Sequence, residues 1–213
     1  MRRGIFGGTF DPVHLGHLIL AECCREQAKL DEIRFLPCWC SPFKQDRPLT
    51  EARLRADMLD FSTAGFRDYV VDRREIKRKK VSYTVETLET IHEEFLDDEL
   101  VFLMGADSLL EFHKWKQPER ILELAELAVV LRAGNSTDQL NAAIDALGTS
   151  ADDRIQLIEM PTIEISSSEI RQRVSAGQSI RFLTHKPVVN VIDQHQLYRH
   201  SGGTTELRAE SSN

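Results

Sequence analysis

The chain has 213 residues, 41% hydrophobic and 29% charged, which fits one globular α/β domain or two small ones and excludes a low-complexity chain. Its 27 Lys and Arg against 34 Asp and Glu leave a net charge of −7, which argues against a chain that coats nucleic acid and confines phosphate binding to a local site. The apolar runs fall short of the roughly 18–20 residues that span a membrane. The first strand begins near Arg3 with no room for a signal peptide before it, so a cytoplasmic protein is expected.

Strand-like and helix-like segments alternate, the mark of a parallel sheet wrapped by helices. The first strand is expected over about residues 3–7. Two adjacent glycines, Gly7 and Gly8, let backbone approach a ligand closely, and Asp11-Pro12 marks a sharp turn. A helix from His14 to Lys29 follows. His14 and His17 share one face of its first turn, beside N–H groups that suit an anion. Within it, Cys23-Cys24 read as small packing residues. Glu32–Pro37 reads as a second strand, and a loop runs from Cys38 to Pro48. Cys38-Trp39-Cys40 is a C-x-C pair with no second ligand pair after it, so no metal site is expected.

Thr50 is expected to cap a helix over roughly 51–63 with Leu54, Met58, Leu59 and Phe61 on its apolar face. Tyr69–Val71 reads as the third strand. Arg73 to Lys80 holds six basic residues in eight and reads as a solvated face rather than a nucleic-acid patch. Ser82-Tyr83-Thr84 opens a helix to about Phe95. Leu100–Met104 is an apolar run suited to a strand buried on both faces, and Gly105-Ala106-Asp107 turns out of it. A short helix, Trp115 and a helix from Pro118 come next. Ala128–Leu131 reads as a strand. Asn135-Ser136-Thr137 caps a helix that Gly148 ends, and Arg154–Glu159 is the last strand. Ser166 and Glu169 form a capping-box pattern before a final helical region, with Arg171 in its first turn. The fold expected is a Rossmann-like, doubly wound parallel sheet in three α/β/α layers. One domain should cover 1–199, with a helical C-terminal part from about 166, and 200–213 should be a disordered tail.

Gly7 to His17 matches G-G-x-F-D-P-x-H-x-G-H at every fixed position, and Ile165 to Arg171 resembles I-S-S-[ST]-x-I-R. Both resemble signatures of the HxGH nucleotidyltransferase superfamily. Glu75 to Leu88 (E-x-x-R…S-Y-T-x-x-T-L), Gly105-Ala106-Asp107-Ser108 with Trp115, and the closing Phe182-Leu183 to Tyr198 are similar to the bacterial nicotinate-mononucleotide adenylyltransferase family. The resemblance implies transfer of an adenylyl group from ATP to nicotinate mononucleotide, giving nicotinate adenine dinucleotide and pyrophosphate, in NAD synthesis. A phosphomonoester nucleophile is already ionised near neutral pH, so catalysis would rest on positioning and charge neutralisation.

By that resemblance the catalytic residues are His14, His17, Lys44 and Arg171. ATP would be held by these with Gly7, Gly8, Thr9, Phe10, Gly105, Asp107, Ser167 and Ser168. Gly8, Thr9, Phe10, Lys44, Tyr83, Thr84, Asp107 and Trp115 would hold the mononucleotide, Trp115 stacking on its pyridine ring. Glycines and Phe10 would contribute through their backbone. Mg²⁺ would arrive with ATP, with no resident metal, no nucleic-acid partner and no membrane contact. The sequence leaves a homo-oligomer open. Phe43, the Lys79-Lys80-Val81 stretch, Lys116 and Thr184-His185-Lys186 depart from the family pattern. The rival readings are a phosphopantetheine adenylyltransferase, an enzyme preferring nicotinamide mononucleotide, a non-catalytic nucleotide sensor and a tRNA-handling protein.

Overall fold

The computed structural model describes residues 1–42, 48–131, 137–148 and 152–199. Lys44, Phe43, the Asn135-Ser136 cap and the tail 200–213 lie outside them. Strands β1 (Arg2–Gly8), β2 (Glu32–Pro37), β3 (Tyr69–Val71), β4 (Glu99–Gly105), β5 (Glu126–Val130) and β6 (Ile155–Ile158) form one sheet in the order β3-β2-β1-β4-β5-β6. Every pairing is parallel. The chain order therefore reverses direction between β1 and β4, and a crevice opens at such a switch point beyond the strands' carboxyl ends.

Side chains that alternate along the central strands build two cores. Phe6, Val101, Leu103, Ala128 and Val130 pack on one face with α1 (Leu15–Gln27), α2 (Ala52–Thr63), α8 (Ser167–Ser175) and α9 (Lys186–Gln194). Ile5, Phe102, Met104, Leu127 and Val129 pack on the other with α4 (Thr84–Glu94), α5 (Ala106–Leu110), α6 (Pro118–Leu124) and α7 (Thr137–Asp145). The result is the expected Rossmann-like α/β/α fold. Leu100–Met104 is buried throughout, as its unbroken apolar run requires.

Three local expectations need correction. Thr50 does not cap α2; the N-cap position is Glu51, with no side-chain cap bond. The buried face of α2 is Ala52, Arg55, Ala56, Met58 and Leu59, while Phe61 is exposed. Arg55 can lie on that face because its guanidinium donates to backbone carbonyls in place of water. The basic run is also not simply a solvated face. It contains the short helix α3 (Arg74–Arg78), whose Arg74 amide is accepted by Asp72 Oδ1 at 3.0 Å. Arg73 pairs with Asp57 at 2.7 Å and also with Asp60, and Arg74 reaches Asp72 and Glu94. Lys77, Lys79 and Lys80 alone of the six remain exposed.

Candidate active site

β1 ends in Gly7-Gly8 and the chain turns through Thr9 and Phe10 into the cis peptide Asp11-Pro12. A Cβ on Gly8 would stand 2.9 Å from the Phe10 ring, so that ring folds back over a residue that must lack one. Phe10 adopts φ 47°, rare for a bulky residue, and is buried against Phe6, Phe35 and His17. Its side chain therefore supports the loop from beneath and does not face the cleft; only its backbone is offered there.

His14 is the N-cap of α1 and His17 its N3 residue. The His14 amide donates to His17 Nδ1 at 3.3 Å, and the two rings stack with centroids 3.7 Å apart. A neutral imidazole that accepts at Nδ1 carries its proton at Nε2, so His17 is set as an Nε2–H donor. The edge of Phe10 packs against His17 at 5.1 Å and fixes its plane. Gly16 is required by both partners of this turn. A Cβ there would meet the His14 ring at 3.0 Å and the Ile165 carbonyl at 3.4 Å.

That second contact brings the start of α8 to the start of α1. Ser166 caps α8 by accepting the Glu169 amide at 3.1 Å, one half of the expected capping box. Ser167 Oγ donates to the Pro12 carbonyl at 2.9 Å, and Arg171 donates to the Asp11 carbonyl at 2.7 Å and to Ser168 Oγ at 2.9 Å. Two helix N-termini, two imidazoles, a guanidinium and hydroxyls thus converge on one loop, an arrangement whose dipoles and charges suit an anion. One expected donor is used elsewhere: the Leu15 amide goes to the Leu183 carbonyl at 3.0 Å.

On the opposite face of the sheet lies a cavity of about 800 Å³. Gly8, Thr9, Tyr83, Thr84, Asp107 and Trp115, named above for the mononucleotide, line it together with Gly7; Phe10 does not, and Lys44 lies outside the described residues. Trp115 is half-buried and held by Phe102 and Phe112, with centroids 5.8 and 5.4 Å away. Thr84 opens α4 and Asp107 sits in the first turn of α5. His14, His17, Ser167, Ser168 and Arg171 do not line this cavity; the Gly7–Phe10 loop divides them from it. Gly105, at the carboxyl end of β4, has nothing within 4 Å of where a Cβ would stand.

Three supporting residues were given no site role from the sequence. Arg55, 1% exposed, donates to the carbonyls of Thr50 (2.9 Å), Thr9 (2.6 Å) and Cys38 (2.7 Å), tying together three segments that enter the site. Its spacing with Met58 and Leu59 was the available sign. Tyr198 donates to Asp11 Oδ1 at 2.6 Å, and burial, then the Asp11 charge, pushes its phenol well above the ordinary range. Thr184, one of the departures from the family pattern, donates to the Val13 carbonyl at 2.8 Å. Glu75 lines the cavity floor, with its carboxyl raised by burial although Thr87 donates to it at 2.7 Å. Burial likewise pushes the Cys24 thiol up to about 12 and Cys38 up to about 11, consistent with packing rather than reactive roles.

Among the described residues no helix is long and apolar enough to cross a membrane. Residues 5–173 match the family model described as cytidylyltransferase-like. A Rhodopirellula baltica protein named "Probable nicotinate-nucleotide adenylyltransferase" is 40% identical over 92% of this chain and 92% of its own length. A Thermomicrobium roseum protein of the same name is 42% identical over 93% and 92%. Among solved structures, Plasmodium falciparum nicotinic acid mononucleotide adenylyltransferase complexed with NaAD superposes with a TM-score of 0.76 at 20% identity, covering 92% of this chain and 97% of that one, which supports the fold. The chain belongs to the cytidylyltransferase-like family and, within it, to the nicotinate-nucleotide adenylyltransferases.

Proposed function

We propose that this chain joins ATP and nicotinate mononucleotide to give nicotinate adenine dinucleotide and pyrophosphate, a step of NAD synthesis in the cytoplasm. The observation that supports the reading is the shared loop: Gly7–Phe10 lies between a cluster suited to phosphates and a cavity large enough for a second nucleotide. A phosphate oxygen of the acceptor attacks the α-phosphorus of ATP. The new P–O bond forms as the α–β bridging P–O bond breaks, and the electron pair leaves with pyrophosphate. No protein nucleophile is required, because the attacking oxygen is already ionised.

The His17 Nε2–H is suited to the α-phosphate, where charge shifts during transfer. His14, Ser167, Ser168 and Arg171 hold the outer phosphates, and Lys44 neutralises the leaving pyrophosphate. The open face of Gly105 takes the adenine, and Asp107 accepts from ribose hydroxyls. Trp115 stacks on the pyridine, while Tyr83 and Thr84 bound its carboxylate end. ATP would enter as Mg·ATP, the ion offsetting part of the phosphate charge. Among the described residues no group of three His, Cys, Asp or Glu side chains could hold an ion by itself.

Purified protein incubated with Mg·ATP and separate acceptors tests the assignment. Pyrophosphate and dinucleotide are expected with nicotinate mononucleotide. Release with phosphopantetheine alone, or tight nucleotide binding with no release, would overturn it.

A further inference from the structure

We propose that the Lys116 side chain strengthens the acceptor cavity's preference for a pyridine nucleotide bearing a carboxylate over the corresponding amide, beyond what the shared family residues supply. This deepens the reading of the cavity given above and rests on it. Lys116 follows Trp115 in the chain and lines the same cavity as Trp115 and Tyr83. Its Nζ donates to Glu86 Oε1 at 2.6 Å and stands 4.6 Å from the centre of the Tyr83 ring. The ammonium is therefore held at the wall that carries the two aromatic rings.

The charge balance of that cavity makes the lysine consequential. Glu75, Asp107 and Glu111 contribute carboxylates to its lining, and the described cations there are Lys114 and Lys116. Lys114 is paired with Glu111. Glu86 adds a further carboxylate beside the Tyr83 ring. An anionic ring substituent in this cavity is attracted by the Lys116 ammonium in addition to the positive end of α4 at Thr84. An amide substituent carries no charge and gains little from the ammonium.

The Lys116–Glu86 pair is also cheap to rearrange. Both side chains are exposed, 46% and 41%, so their attraction is screened and their partner can be exchanged. A four-carbon stem lets the ammonium swing between Glu86 and a carboxylate in the cavity, acting as a point charge. The acid thus gains a contact at small cost, and Glu86 holds the lysine in place when the site is empty.

The test compares kcat/KM for nicotinate and nicotinamide mononucleotide at saturating Mg·ATP in the full-length wild type, K116Q, K116R and K116Q/E86Q. The acid-to-amide ratio is expected to fall roughly tenfold in K116Q, the scale of one partly screened charge contact, chiefly through the KM for the acid. K116R is expected to keep most of the ratio. In K116Q/E86Q the ratio is expected to stay below wild type, since attraction to the ligand is lost as well as the masking of Glu86. A K116Q ratio within twofold of wild type overturns the proposal, as does full recovery in the double variant. Melting temperature and amide turnover separate a selectivity change from misfolding. Wild-type protein that uses neither acceptor would instead refute the reading of the cavity, and this inference would fall with it.

Discussion

At the residue scale, the two histidines act as a unit whose parts are not interchangeable. His14 caps α1 and is buried, whereas His17 is held by the His14 amide and the Phe10 edge and presents its Nε2–H. His17→Ala removes that donor without opening a large core cavity. Turnover should fall at least ~100-fold, as for loss of one transition-state donor. The far-ultraviolet dichroism and melting temperature should stay close to wild type; a near-normal rate with an intact fold would refute the role. Motif residues were legible in the sequence where they have a local cause: Gly8 and Gly16, where a Cβ would crowd a ring, and His14 and His17 at N-cap and N3. Arg55 and Tyr198 were not legible. Their partners lie in remote segments, and neither residue type announces a set of backbone carbonyls or a buried aspartate.

At the element scale, the clearest lesson is α3. Six basic residues in eight read as solvent-facing, yet Asp72, at the end of β3, organises the start of the helix. Its carboxylate accepts from Arg34 at 3.2 Å and from Arg74 Nε at 2.7 Å, contacts that join β2, β3 and α3. Periodicity could not reveal this, since the acid precedes the run and one partner sits in another strand. Burial works to raise the Asp72 carboxyl, but Arg74 and then Arg34 outweigh it and hold it below the ordinary value of 3.8. A depressed folded pKa means the contribution to stability is present above the unfolded value and is lost as pH falls through the folded one. Asp72→Asn should therefore cost about 2 kcal/mol near pH 7, the scale of breaking a half-buried charged network. The gap from wild type should close as pH drops below ~3.8. Denaturant titrations at several pH values would measure this, and a gap that stays constant across that range would refute it.

At the scale of the whole molecule, alternating segments made the parallel sheet and its layers readable from the sequence. The strand order and the division of site residues between two faces required the coordinates. Residues 7–17 and 166–198 meet just beyond the carboxyl end of β1, so the candidate phosphate site joins opposite parts of the chain. Tyr198 and Thr184 tie Asp11 and Val13 into this junction, and Arg171 and Ser167 add the start of α8. A ligand bridging these parts binds only the folded molecule and must stabilise it by mass action. At ~100 times its dissociation constant Mg·ATP contributes about 2.7 kcal/mol. For a chain of this size that corresponds to a rise in melting temperature of roughly 5–10 °C. Adenosine at the same concentration should raise it much less, because it lacks the phosphates that both helix starts would grip. Equal shifts from the two ligands would mean that the base alone anchors the nucleotide, and the clamp between α1 and α8 would have to be abandoned.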